Sequence, residues 1–242
     1  MAVYRERNYR KKTGSADLIS FNVCVKETDL WISAGAKLER EALNLTLESR
    51  GQVETYITDH QEFVSSLLPY GEDLFAPPIV KEMIESTKCL GVGPMASVAG
   101  AIAENVGQGL LKYTDQVIVE NGGDIYLKAN RSVTISIFAG ESPLNEKLGL
   151  LIPQKQMPLG VCSSSGTVGH SLSMGTADAV CLLSPSAALA DGAATAIGNR
   201  IKKKADLNNF AAWASSIKGI LGGVAIMGDR IAAWGEIEMI AL

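Results

Sequence analysis

The sequence predicts an α+β fold in which one or more antiparallel sheets are covered by helices. The predicted strands occur as hairpins joined by short polar turns, and the predicted helices occur in succession. Strict alternation of strand and helix would indicate a doubly wound parallel sheet, whereas paired strands and runs of helices are typical of the α+β class. The 242 residues contain no linker, internal repeat or low-complexity tract, so we expect a single domain over residues 1–242.

The first predicted elements are a hairpin and a long helix. Alternating apolar and polar residues indicate two strands, and a polar turn separates them; these segments are Leu18–Val25, Leu30–Ser33 and the turn Lys26–Asp29. The helical spacing of apolar residues over Lys37–Leu68 predicts a helix with a break at Gly51 and an end before Pro69.

Two further helices follow. The segment Pro77–Glu85 is predicted to be helical because proline is tolerated in a first helical turn. Gly91–Pro94 is interpreted as a loop that leads into a helix of small residues over Met95–Lys112.

The second half of the chain combines short strands with an alanine-rich helix. Apolar runs and alternating patterns predict strands at Val117–Glu120, Ile125–Lys128, Ser132–Phe138 and Ala177–Leu183. Helices are predicted over Pro185–Lys202 and Leu207–Ser216. The chain ends in a predicted hairpin, in which a Gly-Asp turn joins the strands Val224–Met227 and Arg230–Trp234.

Composition excludes several classes of function. The net charge of −4 provides no positive field for nucleic acid, and the basic stretch Arg5–Lys12 is interpreted as a solvated strand. No apolar stretch reaches the roughly 18 residues that span a bilayer, and the N-terminal residues lack the apolar core of a signal peptide. We therefore expect a cytoplasmic protein that binds neither nucleic acid nor membranes. Only two histidines and four scattered cysteines are present, which argues against a multi-histidine or zinc site.

Two glycine-rich segments could bring the backbone close to a ligand. Gly91–Ala96 has a G-x-G-x-x-A pattern, but a dinucleotide fingerprint needs a βαβ unit, and only Lys88–Leu90 could supply its first strand. A glycine loop before a helix also exposes N–H groups to an anion; simple helix initiation is the alternative. Asn121–Asp124 (Asn-Gly-Gly-Asp) is typical of a tight type I′ turn, and its functional interpretation is close approach of a planar ligand or phosphate.

The run Ser163–Ser171 combines hydroxyl groups with glycine amides, a composition that suits phosphate oxygens. A flexible loop is the alternative interpretation. His170 in this run is a candidate general base or proton donor near neutral pH, or else a surface histidine, and no acidic residue lies beside it in sequence.

Asp191 and Thr195 lie four residues apart, and therefore on one face of the predicted alanine-rich helix. Both are weak helix formers, and Gly192 weakens the helix further; such local conflict is expected at functional sites. A carboxylate and a hydroxyl one turn apart suit a hard cation such as Mg²⁺, whose other ligands would be phosphate oxygens and water. The alternative is that Thr195 bonds back to the helix backbone and Asp191 is a cap or is solvated.

Taken in order, these segments resemble the ApbE-like superfamily, the relatives of FAD:protein FMN transferase. Ser186–Ala196 is similar to its A-D-x-x-A-T-A signature, Val119–Ile125 to its N-x-G-G-D hairpin, and Ser164–Gly166 to its T-S-G. Gly93–Ala103 resembles the segment in which a backbone carbonyl completes the metal site. The resemblance implies an ApbE-like, T-fold-related fold that binds FAD or FMN together with Mg²⁺.

The resemblance also implies roles for individual residues. Asp191, Thr195 and the carbonyl of Ala96 would be the metal ligands, and His170 is the proton carrier that the sequence suggests. The residues expected to contact the nucleotide are Gly93, Gly122, Gly123, Asp124, Ser164, Ser165, Gly166 and Thr167.

The sequence departs from the family pattern at three places. Ser97 stands where the family has a lysine, Glu120 replaces the hairpin asparagine, and the H-I-x-D-P-x-T-G block is reduced to His170–Gly175. Three hypotheses follow. The first is a Mg²⁺-dependent flavin-nucleotide enzyme that transfers FMN to an acceptor protein or hydrolyses the diphosphate. The second is a non-catalytic binder of a flavin, pterin or other nucleotide, and the third is an assembly protein that keeps only the fold. Each is compatible with an oligomer.

Overall fold

Two antiparallel sheets form the centre of the fold in the computed structural model, which describes residues 18–166 and 174–242. Within these residues the strands are β1 (Ile19–Val25), β2 (Thr28–Ala34), β3 (Val117–Asn121), β4 (Asp124–Lys128), β5 (Val133–Ser136), β6 (Leu148–Ile152), β7 (Leu159–Ser164), β8 (Ala179–Ser184), β9 (Gly222–Met227), β10 (Arg230–Gly235) and β11 (Glu238–Ala241). The larger sheet has the order β1-β2-β3-β4-β7-β8-β9-β10, and the smaller has the order β11-β6-β5.

The helices of the described residues lie between the strands in sequence. They are α1 (Glu39–Asp59), α2 (Gln61–Ser65), α3 (Pro78–Thr87), α4 (Val98–Leu110), α5 (Ala187–Arg200) and α6 (Phe210–Ser215). A 3₁₀ turn, Pro94–Ser97, leads directly into α4. None of these helices is long and apolar enough to cross a membrane.

The larger sheet is covered on both faces. Val117 and Val119 of β3 pack in a core with α1, α3, α4 and α5, whereas Ile118 packs in a second core with Leu150 of the smaller sheet. Successive residues of a strand point to opposite faces, so the central strands contribute to both cores. The result is three layers: helices, the eight-stranded sheet and the three-stranded sheet.

The predicted fold class, antiparallel sheets covered by helices, is confirmed. The predicted break at Gly51 is wrong, because α1 continues through it, and the predicted helix from Met95 begins as an α-helix only at Val98. The loop interpretation of Ser163 and Ser164 is also wrong, since both residues belong to β7 and pair with β8.

Three strands of the structure were not predicted, namely β6, β7 and β11. Each is paired on at least one side by a strand that lies far away in sequence, as β7 pairs with both β4 and β8. Such pairing depends on tertiary contacts and leaves only a weak local pattern in the sequence.

Candidate functional site

The helix α5 carries Asp191 and Thr195 into the interior of the helical layer. Its alanines Ala190, Ala193 and Ala194 are fully buried, whereas 7% of the surface of Asp191 and 8% of that of Thr195 are exposed. Both polar side chains are therefore buried, although each keeps a small exposed fraction. Ser186 begins the helix by accepting a 3.2 Å hydrogen bond from the N–H of Leu189 through its hydroxyl, as an N-cap serine does.

Asp191 receives backbone hydrogen bonds from the first turn of α4. The N–H of Gly100 donates to its Oδ2 at 2.9 Å, and the N–H of Ala99 also favours its ionised form. These N–H groups are among those that a helix leaves unpaired at its start, and a carboxylate there is further stabilised by the helix dipole. Asp191 is thus a cap for α4 that comes from another helix, in agreement with the capping alternative read from the sequence.

Glu104 of α4 makes the reciprocal contact with the first turn of α5. Its Oε2 accepts hydrogen bonds from the N–H of Ala187 at 2.7 Å, the N–H of Ala188 at 3.4 Å and the hydroxyl of Ser186 at 3.3 Å. Together, Asp191 and Glu104 form what we call the carboxylate clasp, in which each helix supplies the acid that caps the other. The clasp holds α4 and α5 in a fixed position relative to each other.

The close crossing of these two helices depends on Gly100. A Cβ atom at this position would lie 2.4 Å from the carbonyl oxygen of Ala187 and 2.9 Å from the Cβ of Asp191. Gly160 of β7 packs against the same residue, Ala187, since a Cβ atom added to Gly160 would lie 2.4 Å from the Cα of Ala187. Small residues on three elements therefore let Asp191 reach the start of α4.

Burial raises the pKa of Asp191 from its ordinary value of 3.8 to about 7, although the Gly100 and Ala99 amides oppose this shift. Asp124, the first residue of β4, is a second buried carboxylate in the same region. Burial and repulsion from Asp191 raise the pKa of Asp124 well above its ordinary value. Two neighbouring carboxyl groups with raised pKa values hold protons more readily than exposed ones, so a cation bound here would have to displace those protons.

The hairpin that carries Asp124 has the predicted two-residue turn. Asn121 pairs with Asp124, and both intervening glycines have positive φ angles, +69° at Gly122 and +112° at Gly123. Such angles are ordinary for glycine and strained for other residues. Glu120 fixes the turn by accepting a 2.9 Å hydrogen bond from the Gly123 N–H. A Cβ on Gly123 would meet nothing within 4 Å, so its backbone borders open space.

Asp124 also joins this hairpin to the predicted serine-rich segment. Its Oδ1 accepts a 3.2 Å hydrogen bond from the N–H of Ser163 in β7. The end of β7 approaches the C-terminal part of α5, because a Cβ on Gly198 would lie 3.7 Å from the Ser164 hydroxyl. The structure therefore brings the hairpin, the end of β7 and α5 together.

The rest of the serine-rich segment is only partly described. Ser165 and Gly166 follow β7, and the N–H of Gly166 donates to the carbonyl of Ala177 at 2.9 Å. Thr167 and His170 lie outside the described residues, so their predicted roles stay predictions.

Gly93 and Ala96, at the turn before α4, show a different arrangement from the hairpin glycines. A Cβ on Gly93 would lie 1.8 Å from the carbonyl oxygen of Ser66, so this glycine is required for backbone packing against the segment after α2. Ala96 donates its N–H to the Gly93 carbonyl at 3.1 Å and packs with the alanines of α5. The predicted nucleotide contact of Gly93 and metal contact of the Ala96 carbonyl stay predictions.

The Thr195 hydroxyl differs from other buried threonines of the protein. Thr46 and Thr87 donate hydrogen bonds to carbonyl oxygens four residues earlier, at 2.7 Å and 2.8 Å. Within the described part of the chain, the Thr195 hydroxyl makes no such bond, and the back-bonding alternative is therefore not observed. One turn away from the Asp191 carboxylate, this hydroxyl suits a hard cation.

Among the described residues, no group of three or more His, Cys, Asp or Glu side chains is arranged to hold a metal ion. A cation at Asp191 would therefore need oxygen ligands of other kinds, such as the Thr195 hydroxyl, a backbone carbonyl, phosphate oxygens and water. Mg²⁺ commonly keeps several waters and few carboxylates, so this donor set is compatible with it.

Glu104 was not singled out from the sequence, although it is central to the site. The available signal was its position in the small-residue helix α4, where a charged residue that is 5% exposed lies among alanines and glycines. A charge on an otherwise apolar face indicates a buried partner, but only the structure shows that the partner is the start of α5.

Three comparisons extend this description. A family sequence model described as "AbpE bacteria" matches residues 10–222. A protein of Methanocella arvoryzae that carries the name UPF0280 protein is 40% identical over 220 residues, which cover 89% of this chain and 88% of that protein.

The fold is similar to that of two solved proteins. The apo flavinyl transferase ApbE of Pseudomonas stutzeri matches with a TM-score of 0.60 and 14% identity, over 89% of this chain and 93% of that chain. The ApbE protein of Thermotoga maritima matches with a TM-score of 0.57 and 12% identity, over 90% and 97% of the two chains. At these identities the likeness concerns the fold, and the chemistry has to be argued from the residues of the site.

Proposed function

Because this chain belongs to the ApbE-like family described as AbpE bacteria, we propose that it binds a flavin nucleotide, FAD or FMN, together with Mg²⁺ at Asp191 and Thr195. The observation that carries the proposal is the pairing of a buried carboxylate with a threonine hydroxyl one helical turn away that has no partner within the described residues. The predicted cytoplasmic location rests on the sequence alone.

The proposed roles of the residues follow from their positions. Asp191 would contribute negative charge to the cation and Thr195 a neutral oxygen. The glycine turn at Gly122 and Gly123 would let phosphate oxygens lie against the backbone, where bulkier residues would block them. Mg²⁺, when bound, would neutralise the charge of the diphosphate, and the carboxylate clasp would keep Asp191 from turning away.

Transfer of FMN from FAD is the reaction that such a site would support. The hydroxyl of an acceptor would form a bond to the FMN phosphorus, the bond to the AMP oxygen would break, and the acceptor proton would pass to a base. His170 is the base that the sequence suggests. This chemistry requires positioning and charge compensation more than a strong nucleophile.

The first prediction concerns the charge of Asp191. In calorimetric titrations of FAD, the wild-type protein should bind more tightly with Mg²⁺ than with EDTA, and Asp191→Asn should lose that difference. Without metal, the melting temperature at pH 7 should equal or exceed that of wild type, because the amide oxygen still accepts from Gly100 and the variant avoids ionising a buried carboxyl group with a raised pKa. Asp178→Asn is the control, since Asp178 also accepts a backbone N–H, from Gly228 at 2.6 Å, in another part of the sheet. Equal Mg²⁺ dependence in Asp191→Asn and wild type would refute the metal site.

The second prediction concerns the hydroxyl of Thr195. Thr195→Val keeps the shape of the side chain and should weaken Mg²⁺-dependent FAD binding, with little loss of stability because no intramolecular hydrogen bond is removed. Thr46→Val should lower the free energy of unfolding and leave FAD binding unchanged. It removes a buried hydrogen bond worth about 1 kcal/mol and lies away from the site. Calorimetry and urea unfolding of both variants separate the two effects. Full Mg²⁺-dependent binding by Thr195→Val would exclude this hydroxyl as a ligand.

One observation favours the second hypothesis, a binder without transferase activity. Ser97 stands where the resemblance expects a lysine, and it is fully buried, with its hydroxyl donating to the Pro94 carbonyl at 2.8 Å. No charged group from this position reaches the site. Incubation with FAD, Mg²⁺ and candidate acceptor proteins distinguishes the alternatives, because transferase activity releases AMP and leaves covalently bound FMN, whereas a binder returns FAD intact.

A further inference from the structure

A cleft of about 330 Å³ lies beside the buried carboxylates. It is bounded by α1, the β1–β2 turn, the first turn of α4 and the end of β3. We propose that this cleft binds the uncharged planar heteroaromatic ring of the ligand, with the Arg50 guanidinium packed against the ring. The inference deepens the proposed function and rests on it for the placement of the phosphates.

The lining of the cleft changes from apolar to polar towards the surface. Val53, Val98 and Ile102 belong to the apolar part, and Val53 and Ile102 are almost fully buried. Glu27 lies at the mouth, with 84% of its side chain exposed. Small-molecule sites typically have this combination of apolar walls and a few polar groups, in volumes of about 300–1,000 Å³. At the lower end of that range, the cleft suits one ring system and not a whole dinucleotide.

Arg50 is held in one orientation at the side of the cleft. Its Nη1 donates to the Thr28 hydroxyl at 2.5 Å, and its Nη2 donates to Glu54 at 2.6 Å and Glu27 at 2.8 Å. Only 13% of its side chain is exposed. A guanidinium group is planar and packs well on the face of an aromatic ring, and bonds that fix its plane reduce the entropic cost of that stacking.

The charges around the cleft argue against a phosphate as its occupant. The charged lining residues are Arg50, Glu27 and Glu54, and Arg50 pairs with both carboxylates. Lys26 does not line the cleft, but its ammonium lies 2.6 Å from Glu54. These two cations and two carboxylates have a net charge of zero. Because the cleft has no excess of positive charge, a neutral ring is a better occupant than an anionic group.

The cleft and the carboxylates share two backbone segments. Asn121 and Ala99 both line the cleft, and the Asn121 amide donates to the Ala99 carbonyl at 3.1 Å. Asn121 pairs with Asp124 across the hairpin, and Ala99 precedes Gly100, the donor to Asp191. A ring in the cleft would therefore lie beside the two backbone segments that carry the partners of Asp124 and Asp191.

The test uses rings that lack phosphate, in the absence of metal. Riboflavin and an uncharged pterin are titrated into the full-length protein with EDTA present, and their fluorescence is followed. At least one should bind. Ile57→Trp, which fills the cleft from α1, should weaken that binding by tenfold or more. Thr55→Trp is the control, because Thr55 is exposed on the opposite side of the same helix, and it should bind as wild type does.

The outcomes separate this inference from the proposed function. If neither ring binds, or if Ile57→Trp binds the ring as tightly as wild type, the cleft proposal is overturned, even where FAD still shows Mg²⁺ dependence. If the ring binds and Ile57→Trp blocks it, while FAD shows no Mg²⁺ dependence, the cleft proposal holds and the metal site fails. Circular dichroism checks that each variant is folded. If the tryptophan prevents folding, Ile57→Phe is used in place of Ile57→Trp.

Discussion

Single carboxylates distinguish the helical layer of this protein from an ordinary apolar core. Asp191 and Glu104 are compensated by backbone N–H groups at helix starts, so each contributes to structure as well as to the charge of the site. Glu82 of α3 has a raised pKa as Asp191 does, but its hydrogen-bond partner is a side chain and not the start of a helix. Its Oε2 accepts a 3.0 Å hydrogen bond from the Asn105 amide, and the neighbouring Glu104 repels its negative charge.

The third prediction follows from this difference. Burial, and then repulsion from Glu104, raise the pKa of Glu82 from 4.5 to about 7. The folded protein therefore binds this proton more tightly than the unfolded chain does, and the free energy of unfolding falls as pH rises from 4.5 to about 7. Glu82→Gln keeps the shape and removes the charge. Its free energy of unfolding should exceed that of wild type by about 1–3 kcal/mol above pH 7 and match it near pH 4.

Urea unfolding at several pH values checks this prediction. Glu85→Gln is the matched control, because Glu85 lies on the same helix, is exposed and pairs with Lys88 at 3.3 Å. Its effect should stay within about 0.5 kcal/mol at every pH. A stability difference between Glu82→Gln and wild type that does not change with pH would show that folding does not raise the pKa of Glu82.

At the level of elements, the close crossing of α4 and α5 depends on glycine, which has no Cβ atom, as much as on the carboxylate clasp. Gly100 permits the contact with Ala187, and the clasp then caps both helices at once. Helix α1 shows the opposite case. Gly51 lies in the middle of this helix, and a Cβ there would meet nothing within 4 Å.

The fourth prediction uses one substitution at both sites. Glycine is less favourable than alanine inside a helix by about 1 kcal/mol. Gly51→Ala should therefore stabilise the protein by up to about that amount. Gly100→Ala should destabilise it by about 1–3 kcal/mol, because the new methyl group forces the helices apart. Thermal and urea unfolding measure both changes. A stabilising Gly100→Ala would mean that the two helices separate without cost.

Across the whole molecule, the proposed site and the smaller sheet lie on opposite faces of the larger sheet. Leu150 of β6 is fully buried between the two sheets, whereas Asp191 belongs to the helical layer. Stability and binding should therefore be separable by substitutions in the two layers. The smaller sheet also covers alternate residues of β7 and β8, the strands that support α5.

The fifth prediction is that Leu150→Ala lowers the free energy of unfolding by about 2–5 kcal/mol, through lost apolar burial and a cavity. FAD affinity of the folded protein should not change. Leu68→Ala removes the same atoms from a side chain that is 69% exposed, so its effect on stability should be within about 0.5 kcal/mol. Urea unfolding and calorimetry measure the two quantities. A loss of affinity in folded Leu150→Ala would show that the layers are coupled.

Much of the fold could be predicted from local patterns. The α+β class, the first and last hairpins, the hairpin turn at Asn121–Asp124 and the alanine-rich helix with Asp191 and Thr195 all follow from short-range periodicity and turn residues. These signals depend on a few neighbouring side chains, so they are present in the chain before it folds. The predicted break at Gly51 failed because helix packing outweighs the modest cost of one glycine.

The sequence by itself determined which residues are candidates for the proposed metal site, because residue type and helical spacing already place Asp191 and Thr195 on one face. Only the tertiary structure decided what surrounds them. Glu104, Gly100 and the cleft beside Asn121 acquire their roles through contacts between segments that lie about 20 to more than 90 residues apart. Capping, close approach and burial of charge are properties of such contacts, and no local pattern in the chain encodes them.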